Sequence, residues 1–171
     1  MRNPAKFFSY TISYQFNFTK WSELEWSKTI AYWQAHRFLC EVTPSLGIKG
    51  KRGNLWGNLT SFDMTKLMCT LAIAHSQPGI ISSTFELNAF GQDLTEWNIT
   101  DFKLEHLLFR RELLELAEPD ILTRYRTDRR KANVDWSLSG MTLGRKLSSE
   151  WTQLLNELAD GTVEPTIRRA V

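Results

Sequence analysis

Strict alternation of apolar and polar residues marks the first element that the sequence predicts. From Phe8 to Phe18 every even position is apolar, and from Ser9 to Thr19 every odd position is polar. Successive side chains of a strand point to opposite faces, so a period of two is typical of a strand with one buried and one solvated face. The segment therefore predicts a long strand.

A helix is predicted directly after this strand. Ser22 is a good N-cap residue, and Glu25 completes a capping box three positions later. Trp21 and Trp26 occupy the positions of a hydrophobic staple. The apolar residues that follow with helical spacing, and that we expect to face the core, are Trp26, Ile30 and Trp33.

The next 50 residues combine short alternating segments with one helical pattern. Two short strands are predicted, joined by the basic, glycine-rich loop 45–54, and their alternating residues are Phe38, Cys40, Val42, Leu55, Gly57 and Leu59. Residues 63–76 have apolar positions with helical spacing, which predicts a second helix that buries Met64, Leu67, Met68 and Leu71. Residues 80–90 alternate again and predict a fourth strand.

The order β-α-β-β-α-β over residues 1–90 is that of the split βαβ, ferredoxin-like sandwich. Residues 91–171 predict a helical extension packed on this core. A third helix is capped by Thr100 or Asp101 and ends near Pro119. A last helix is predicted to bury Leu143, Leu147, Trp151, Leu154 and Leu158. Val134, Trp136 and Leu138 alternate as a fifth strand between them. We expect a single α+β domain over residues 1–171.

The composition indicates a folded domain and bears on its cellular compartment. A chain of 171 residues, 42% apolar and 23% charged, can bury one sizeable core, and seven tryptophans also suit an interface. Cys40 and Cys69 stand alone, which predicts two thiols in a reducing compartment and neither a disulfide framework nor a zinc site. Without a signal-like start or an apolar run of about 20 residues, we expect a cytoplasmic protein that does not bind a membrane.

Charge is segregated along the chain although the net charge is only +2. Residues 1–52 have eight Lys/Arg and three Asp/Glu, residues 86–120 have three and nine, and residues 121–146 have seven and two. These blocks could form separate basic and acidic faces, or they could fold together and cancel.

The densest basic segment is the main candidate site. Its members are Arg124, Arg126, Arg129, Arg130 and Lys131. On a helix, Arg126, Arg129 and Arg130 fall within about a 100° arc and could contact successive phosphates. The loop residues Lys49, Lys51 and Arg52 could add a second contact, and Trp56, Tyr10 or Tyr14 could stack on bases. The alternative is that these arginines pair with the acidic stretch 105–120.

Motifs for catalysis are weak. His36 with Cys40, or His75 with Cys69, could form a Cys-His nucleophile pair, but a buried thiol beside a capping or surface imidazole is the commoner arrangement. The sequence has no metalloprotease, phosphate-loop or dinucleotide motif. We therefore expect no metal, no cofactor and a non-catalytic binding protein, with RNA or single-stranded nucleic acid as the first ligand. The alternatives are a protein–protein adaptor, a subunit of a larger assembly or homo-oligomer, and a small enzyme that uses a His/Cys pair.

Overall fold

The first strand and helix form where local pattern and capping predict them. In the computed structural model, which describes residues 9–17, 22–43, 47–61, 63–88, 96–114, 116, 120–139, 147–160 and 166–169, Ile12, Tyr14 and Phe16 are buried on one face of the first strand. Ser22 accepts a hydrogen bond from the Leu24 amide and donates its own amide to Glu25, which completes the predicted capping box. Phe8, Phe18 and Trp21 lie outside the described residues.

The described residues form six strands and five α-helices. The strands are β1 (Ser9–Asn17), β2 (Leu39–Thr43), β3 (Gly47–Arg52), β4 (Cys69–Gln77), β5 (Ile80–Asn88) and β6 (Thr166–Arg169). The helices are α1 (Glu23–Ala35), α2 (Leu55–Thr60), α3 (Glu96–Leu113), α4 (Asp120–Ser139) and α5 (Ser149–Ala159), with a 3₁₀ turn at Met64–Lys66.

The chain divides into two compact units. Residues 1–93 together with 162–171 form the sheet unit, which contains the six described strands, α1 and α2. Residues 94–161 form the helical unit, which contains α3, α4 and α5. The sheet unit is therefore discontinuous in sequence, because its last strand follows the helical unit.

The order of the strands in the sheet differs from their order in the sequence. Its strand order is β2-β3-β4-β5-β1-β6, and each neighbouring pair is antiparallel. The expected α+β class is confirmed. The ferredoxin-like topology is not confirmed, because β1 lies between β5 and β6 and the second core helix of that sandwich is replaced by a strand.

The predicted helix at residues 63–76 is wrong, because most of this segment is β4. Cys69, Leu71 and Ile73 are buried in alternation, while the residues between them are exposed. Over this short run the apolar positions fit both the helical period and the period of two of a strand. The strand forms because β3 and β5 supply hydrogen-bond partners on both sides. The 3₁₀ turn is what remains of the predicted helix.

The predicted strand at residues 55–59 is also wrong, since this segment forms α2. Asn54 is the N-cap, and its side chain accepts a hydrogen bond of 2.8 Å from the Gly57 amide. The strand instead occupies residues 47–52, within the segment predicted as the basic loop. Side-chain capping by Asn favours a helix start over continued pairing.

Aromatic side chains fill the core of the sheet unit. Trp33 of α1 is fully buried and packs edge-on against Phe38 and Phe85, with ring centroids 5.4 and 5.3 Å away. Such pairs add about 0.5–1.5 kcal/mol each beyond the area they bury. Trp33 therefore fixes α1 against the sheet.

The helical unit also has an aromatic centre. Tyr125 of α4 is fully buried, its hydroxyl donates to the Trp97 carbonyl at 2.6 Å, and Trp151 of α5 packs edge-on against its ring. The predicted fifth strand at residues 134–138 is wrong, because α4 continues to Ser139. Positions 134 and 138 are four apart, so they suit one helix face as well as one strand face.

Candidate functional site

The predicted basic face of α4 is partly buried and paired. Asp101 and Glu105 are four residues apart on α3, and both are fully buried. Arg126 contacts both: its guanidinium lies 2.7 Å from Asp101 and 2.5 Å from Glu105. Arg129, one turn further along α4, is 3% exposed and lies 3.5 Å from Asp101. These four residues are hereafter the buried charge cluster.

The buried charge cluster balances two positive and two negative groups, of which only Arg126, with 18% of its side chain accessible, reaches solvent to any extent. Burial by itself would lower the pKa of the Arg126 guanidinium, but attraction to Asp101 and then Glu105 more than offsets this, so its pKa is raised. Arg126 forms three hydrogen bonds with the Asp101 carboxylate, which is the forked geometry that favours Arg over Lys. The prediction that Arg126, Arg129 and Arg130 share one exposed face is therefore wrong. The alternative, pairing with the acidic stretch 105–120, occurs between Arg126 and Glu105.

The remaining cations of α4 are exposed. The side chains of Arg124 and Lys131 are 56% and 71% accessible, and Arg130 is also exposed. Their ion pairs are long: Arg124 lies 3.9 Å from Glu150, and Lys131 lies 3.7 Å from Asp128. Surface pairs of this kind hold charges weakly. The Arg124 guanidinium also lies over the Trp151 ring, 5.0 Å from its centroid. Arg124, Arg130 and Lys131 are hereafter the α4 outer cations.

The second predicted group, in the sheet unit, is divided by the pleat of β3. Lys49 and Lys51 are exposed on one face, while Arg52 points to the other and is 3% exposed. Arg52 donates a hydrogen bond of 3.0 Å to the His36 carbonyl, and its guanidinium lies over the Phe38 ring at 4.3 Å. Arg52 therefore stabilises the core, and only the two lysines face solvent.

The predicted stacking residues are not on an exposed sheet face. Tyr14 is 1% exposed in the core, where burial raises the pKa of its phenol, and Tyr10 is half-buried on the same side of β1. Trp56 is 75% exposed, but it lies on α2 and not on a strand. Stacking of bases on a sheet surface is thus excluded for Tyr14 and Trp56.

Sequence reasoning missed an exposed apolar face on α2. Leu55, Trp56 and Leu59 fall within a 100° arc of this helix and are 45%, 75% and 51% exposed. Asn54 was the signal for it, because an Asn N-cap before Leu-Trp predicts a helix start. Leu55, Trp56 and Leu59 are hereafter the α2 apolar face.

The α2 apolar face is held on a fixed support. Asn58, on the opposite side of α2, is fully buried; its amide donates to the Asn88 carbonyl at 2.8 Å and its oxygen accepts from the Met68 amide at 2.7 Å. Gly57 packs so closely on the 3₁₀ turn that an added Cβ would lie 2.1 Å from the Lys66 carbonyl oxygen. Two polar anchors and one close approach therefore fix the orientation of this short helix.

Burial and distance act against the two predicted cysteine–histidine pairs. Nδ1 of His36 lies 2.8 Å from the Tyr32 carbonyl, and burial raises the pKa of the Cys40 thiol, which disfavours the thiolate. Cys69 is buried and His75 is exposed on the same strand, and six residues of strand separate their Cα atoms by about 20 Å. Both cysteines are thiols and not a disulfide.

Neither a metal-ion site nor a membrane-spanning helix is found within the described ranges. No group of three or more His, Cys, Asp or Glu side chains there is arranged to hold a metal ion. None of the helices in that part of the chain combines the length and apolar character needed to cross a membrane. Comparison of the chain with protein-family models, curated proteins and solved structures gives no match.

Proposed function

We propose that this chain is a non-catalytic binding protein that docks a protein partner through the α2 apolar face. The observation that carries the proposal is Trp56, which is 75% exposed between two exposed leucines. Trp is the residue most often found at energetic hot spots of interfaces, and leucine side chains around it exclude water. Three adjacent exposed apolar side chains on one short helix mark an interaction surface more strongly than scattered ones.

Charge around α2 defines the chemistry of the partner. Lys66 is exposed beside Gly57, and Arg37 is exposed and donates to the Thr65 hydroxyl at 3.3 Å. The rim of the α2 apolar face is therefore basic. We propose a partner segment that presents apolar side chains with Asp or Glu at their edge, since complementary charge guides encounter and fixes register.

The contacts that hold α2 in place also favour binding of a partner. Because Asn58 and Gly57 already hold the helix in place, little conformational entropy is lost when a partner covers Trp56. An aromatic anchor that is rigid before binding contributes more net affinity than a mobile one of the same area.

The test uses a displayed peptide library selected on the whole native chain, and each enriched peptide is then measured on the native chain and on Trp56→Ala. Enriched peptides should combine aromatic or aliphatic residues with Asp or Glu. Their affinity, measured by calorimetry, should fall by about 30-fold or more for Trp56→Ala, as expected for a hot-spot Trp. Lys66→Glu should weaken binding, and Leu24→Ala, an exposed leucine on α1, should not. Peptides that bind Trp56→Ala as tightly as the native chain would end the proposal.

The α4 outer cations favour nucleic acid as a second candidate ligand. Arg124 and Lys131 lie seven residues apart, so they project from one side of α4 and could contact neighbouring phosphates. Filter binding of single-stranded RNA at two salt concentrations tests this. The triple change of Arg124, Arg130 and Lys131 to Ala should remove binding and its salt dependence together. Absence of binding by the native chain at low salt would eliminate this candidate.

A further inference from the structure

One face of the sheet is solvated and carries an ordered set of charges. On β3, β4 and β5, three of the four inner strands, the exposed side chains of this face are Lys49 and Lys51 of β3, Thr70, Ala72 and Ala74 of β4, and Glu86 of β5. Lys51 is registered with Thr70, and Thr70 is registered with Glu86. Residues paired in register point to the same face, so these three side chains form one row across the sheet. This exposed surface is hereafter the open face.

Lys51 and Glu86 are placed symmetrically about β4. Their strands flank β4 at about 4.8 Å on each side, so the two charges lie about 10 Å apart with Thr70 between them. Within the described part of the chain, neither Lys51 nor Glu86 forms an ion pair at 4 Å or less. Across β3, β4 and β5 the row therefore changes from a positive to a negative side chain.

We infer that the open face packs against the open face of a second copy, related by a two-fold axis along β4. This rotation places each copy's β3 over the other copy's β5. Lys51 of each copy then faces Glu86 of the other, and Thr70 lies over its own equivalent on the axis. An interface of this kind is isologous and closes as a dimer.

The other two-fold arrangement of stacked sheets is disfavoured by the same charges. An axis perpendicular to the strands would place β3 over β3, and Lys49 would meet Lys49 of the second copy. Like charges brought together at an interface oppose association. The distribution of Lys and Glu on the open face thus selects the axis along β4.

The geometry and size of the open face suit this packing. Sheets stack about 10 Å apart with strands nearly aligned, and the side chains of β4 on this face, Thr70, Ala72 and Ala74, are small enough for that distance. β1, β4 and β5 have nine residues and are about 30 Å long, while β2 and β3 have five and six residues and are about 17 and 20 Å long. Each strand occupies about 4.8 Å of the width of the sheet. The area is roughly 600 Å² on each copy, and the total of roughly 1,200 Å² lies at the lower end for specific interfaces.

Charge exchange tests the inference. The mass of the full chain is followed by sedimentation over a range of concentrations. Native chain should dimerise, and Lys51→Glu or Glu86→Lys alone should weaken dimerisation by about tenfold or more, because each puts like charges opposite one another twice. The double variant Lys51→Glu/Glu86→Lys should dimerise like the native chain. A mixture of the two single variants should form a heterodimer, because both contacts then join opposite charges.

Two controls make the result decisive. Lys66→Glu makes the same change of net charge beside α2 and should leave dimerisation unchanged. Recovery in the double variant or in the mixture shows that the single variants are folded. A native chain that remains monomeric at the highest soluble concentration would overturn the inference, and so would a dimer whose stability does not respond to the charge exchange.

Discussion

Replacement of Arg126 by Met should strongly destabilise the helical unit. In the native chain its guanidinium contacts Asp101 at 2.7 Å and Glu105 at 2.5 Å, and both carboxylates are fully buried. Methionine fills a similar volume but leaves one more negative than positive charge in the buried charge cluster. Removal of one partner from a buried ion pair costs about 3–5 kcal/mol. Against a typical total of about 5–15 kcal/mol, this is a large part of the free energy of unfolding.

The assay is urea denaturation of the whole chain, followed by far-ultraviolet circular dichroism, in a double-mutant cycle. Glu105→Met alone should also be destabilising, because it leaves one more positive charge. The double variant Arg126→Met/Glu105→Met keeps Asp101 and Arg129 as a balanced pair. Its loss of stability should therefore be clearly smaller than the sum of the two single losses.

Arg130 supplies the matched control, because it lies on the same helix but is exposed. Arg130→Met should change the free energy of unfolding by less than about 0.5 kcal/mol. Additive losses in the cycle, or an effect of Arg126→Met as small as that of Arg130→Met, would refute the view that the four charges act as one network.

Three further predictions concern the sheet unit. Gly53→Ala should lower stability by more than about 1 kcal/mol in thermal unfolding, because its φ is +68° and a Cβ would lie 2.2 Å from a backbone carbonyl oxygen. Hydrogen bonds from the Ser22 side chain and then its backbone hold the pKa of Glu25 below its ordinary value. The contribution of Glu25 should thus be complete above about pH 5 and be lost as pH falls through its folded-state pKa, so Glu25→Gln should approach the native stability in acid. Thiol labelling of the native protein should modify half-buried Cys40 slowly and leave buried Cys69 unmodified until urea is added; fast labelling of both would contradict the structure.

Elements with strong local signals were predictable from the sequence. β1 alternates over its whole described length, and α1 has a complete capping box between Ser22 and Glu25, so neither needs a tertiary contact to be recognised. β5 has the same advantage, with Ile81, Phe85 and Leu87 buried in alternation. In these segments the local signal, a period of two in β1 and β5 and a capping box in α1, indicates the structure that forms.

The segment from residue 47 to residue 77 was not predictable in the same way. Lys49 and Lys51 indicated a loop, although their spacing is that of the solvated face of a strand. Leu67 and Leu71 suit a helix stripe, but β4 has two neighbouring strands to bond with, and a local pattern contains no information about such partners. Here tertiary pairing overrides the local preference.

For the candidate site, the sequence predicted helical geometry but not the environment. Helical spacing correctly relates Arg126 to Arg129, yet it does not tell which side of α4 is buried. The acidic neighbours Asp101 and Glu105, four residues apart on the preceding helix, were the available signal. Pairing adjacent segments of opposite charge would have favoured the buried charge cluster over an exposed face.

The position of β6 has a consequence for synthesis of the chain. β6 pairs with β1 although about 150 residues, including the whole helical unit, separate the two strands in sequence. On the ribosome, the hydrogen-bonding edge of β1 that β6 occupies must wait until the whole helical unit and then β6 have emerged. Until then this edge is available to any other extended strand, so the interval before β6 arrives is when the nascent chain is most exposed to mispairing.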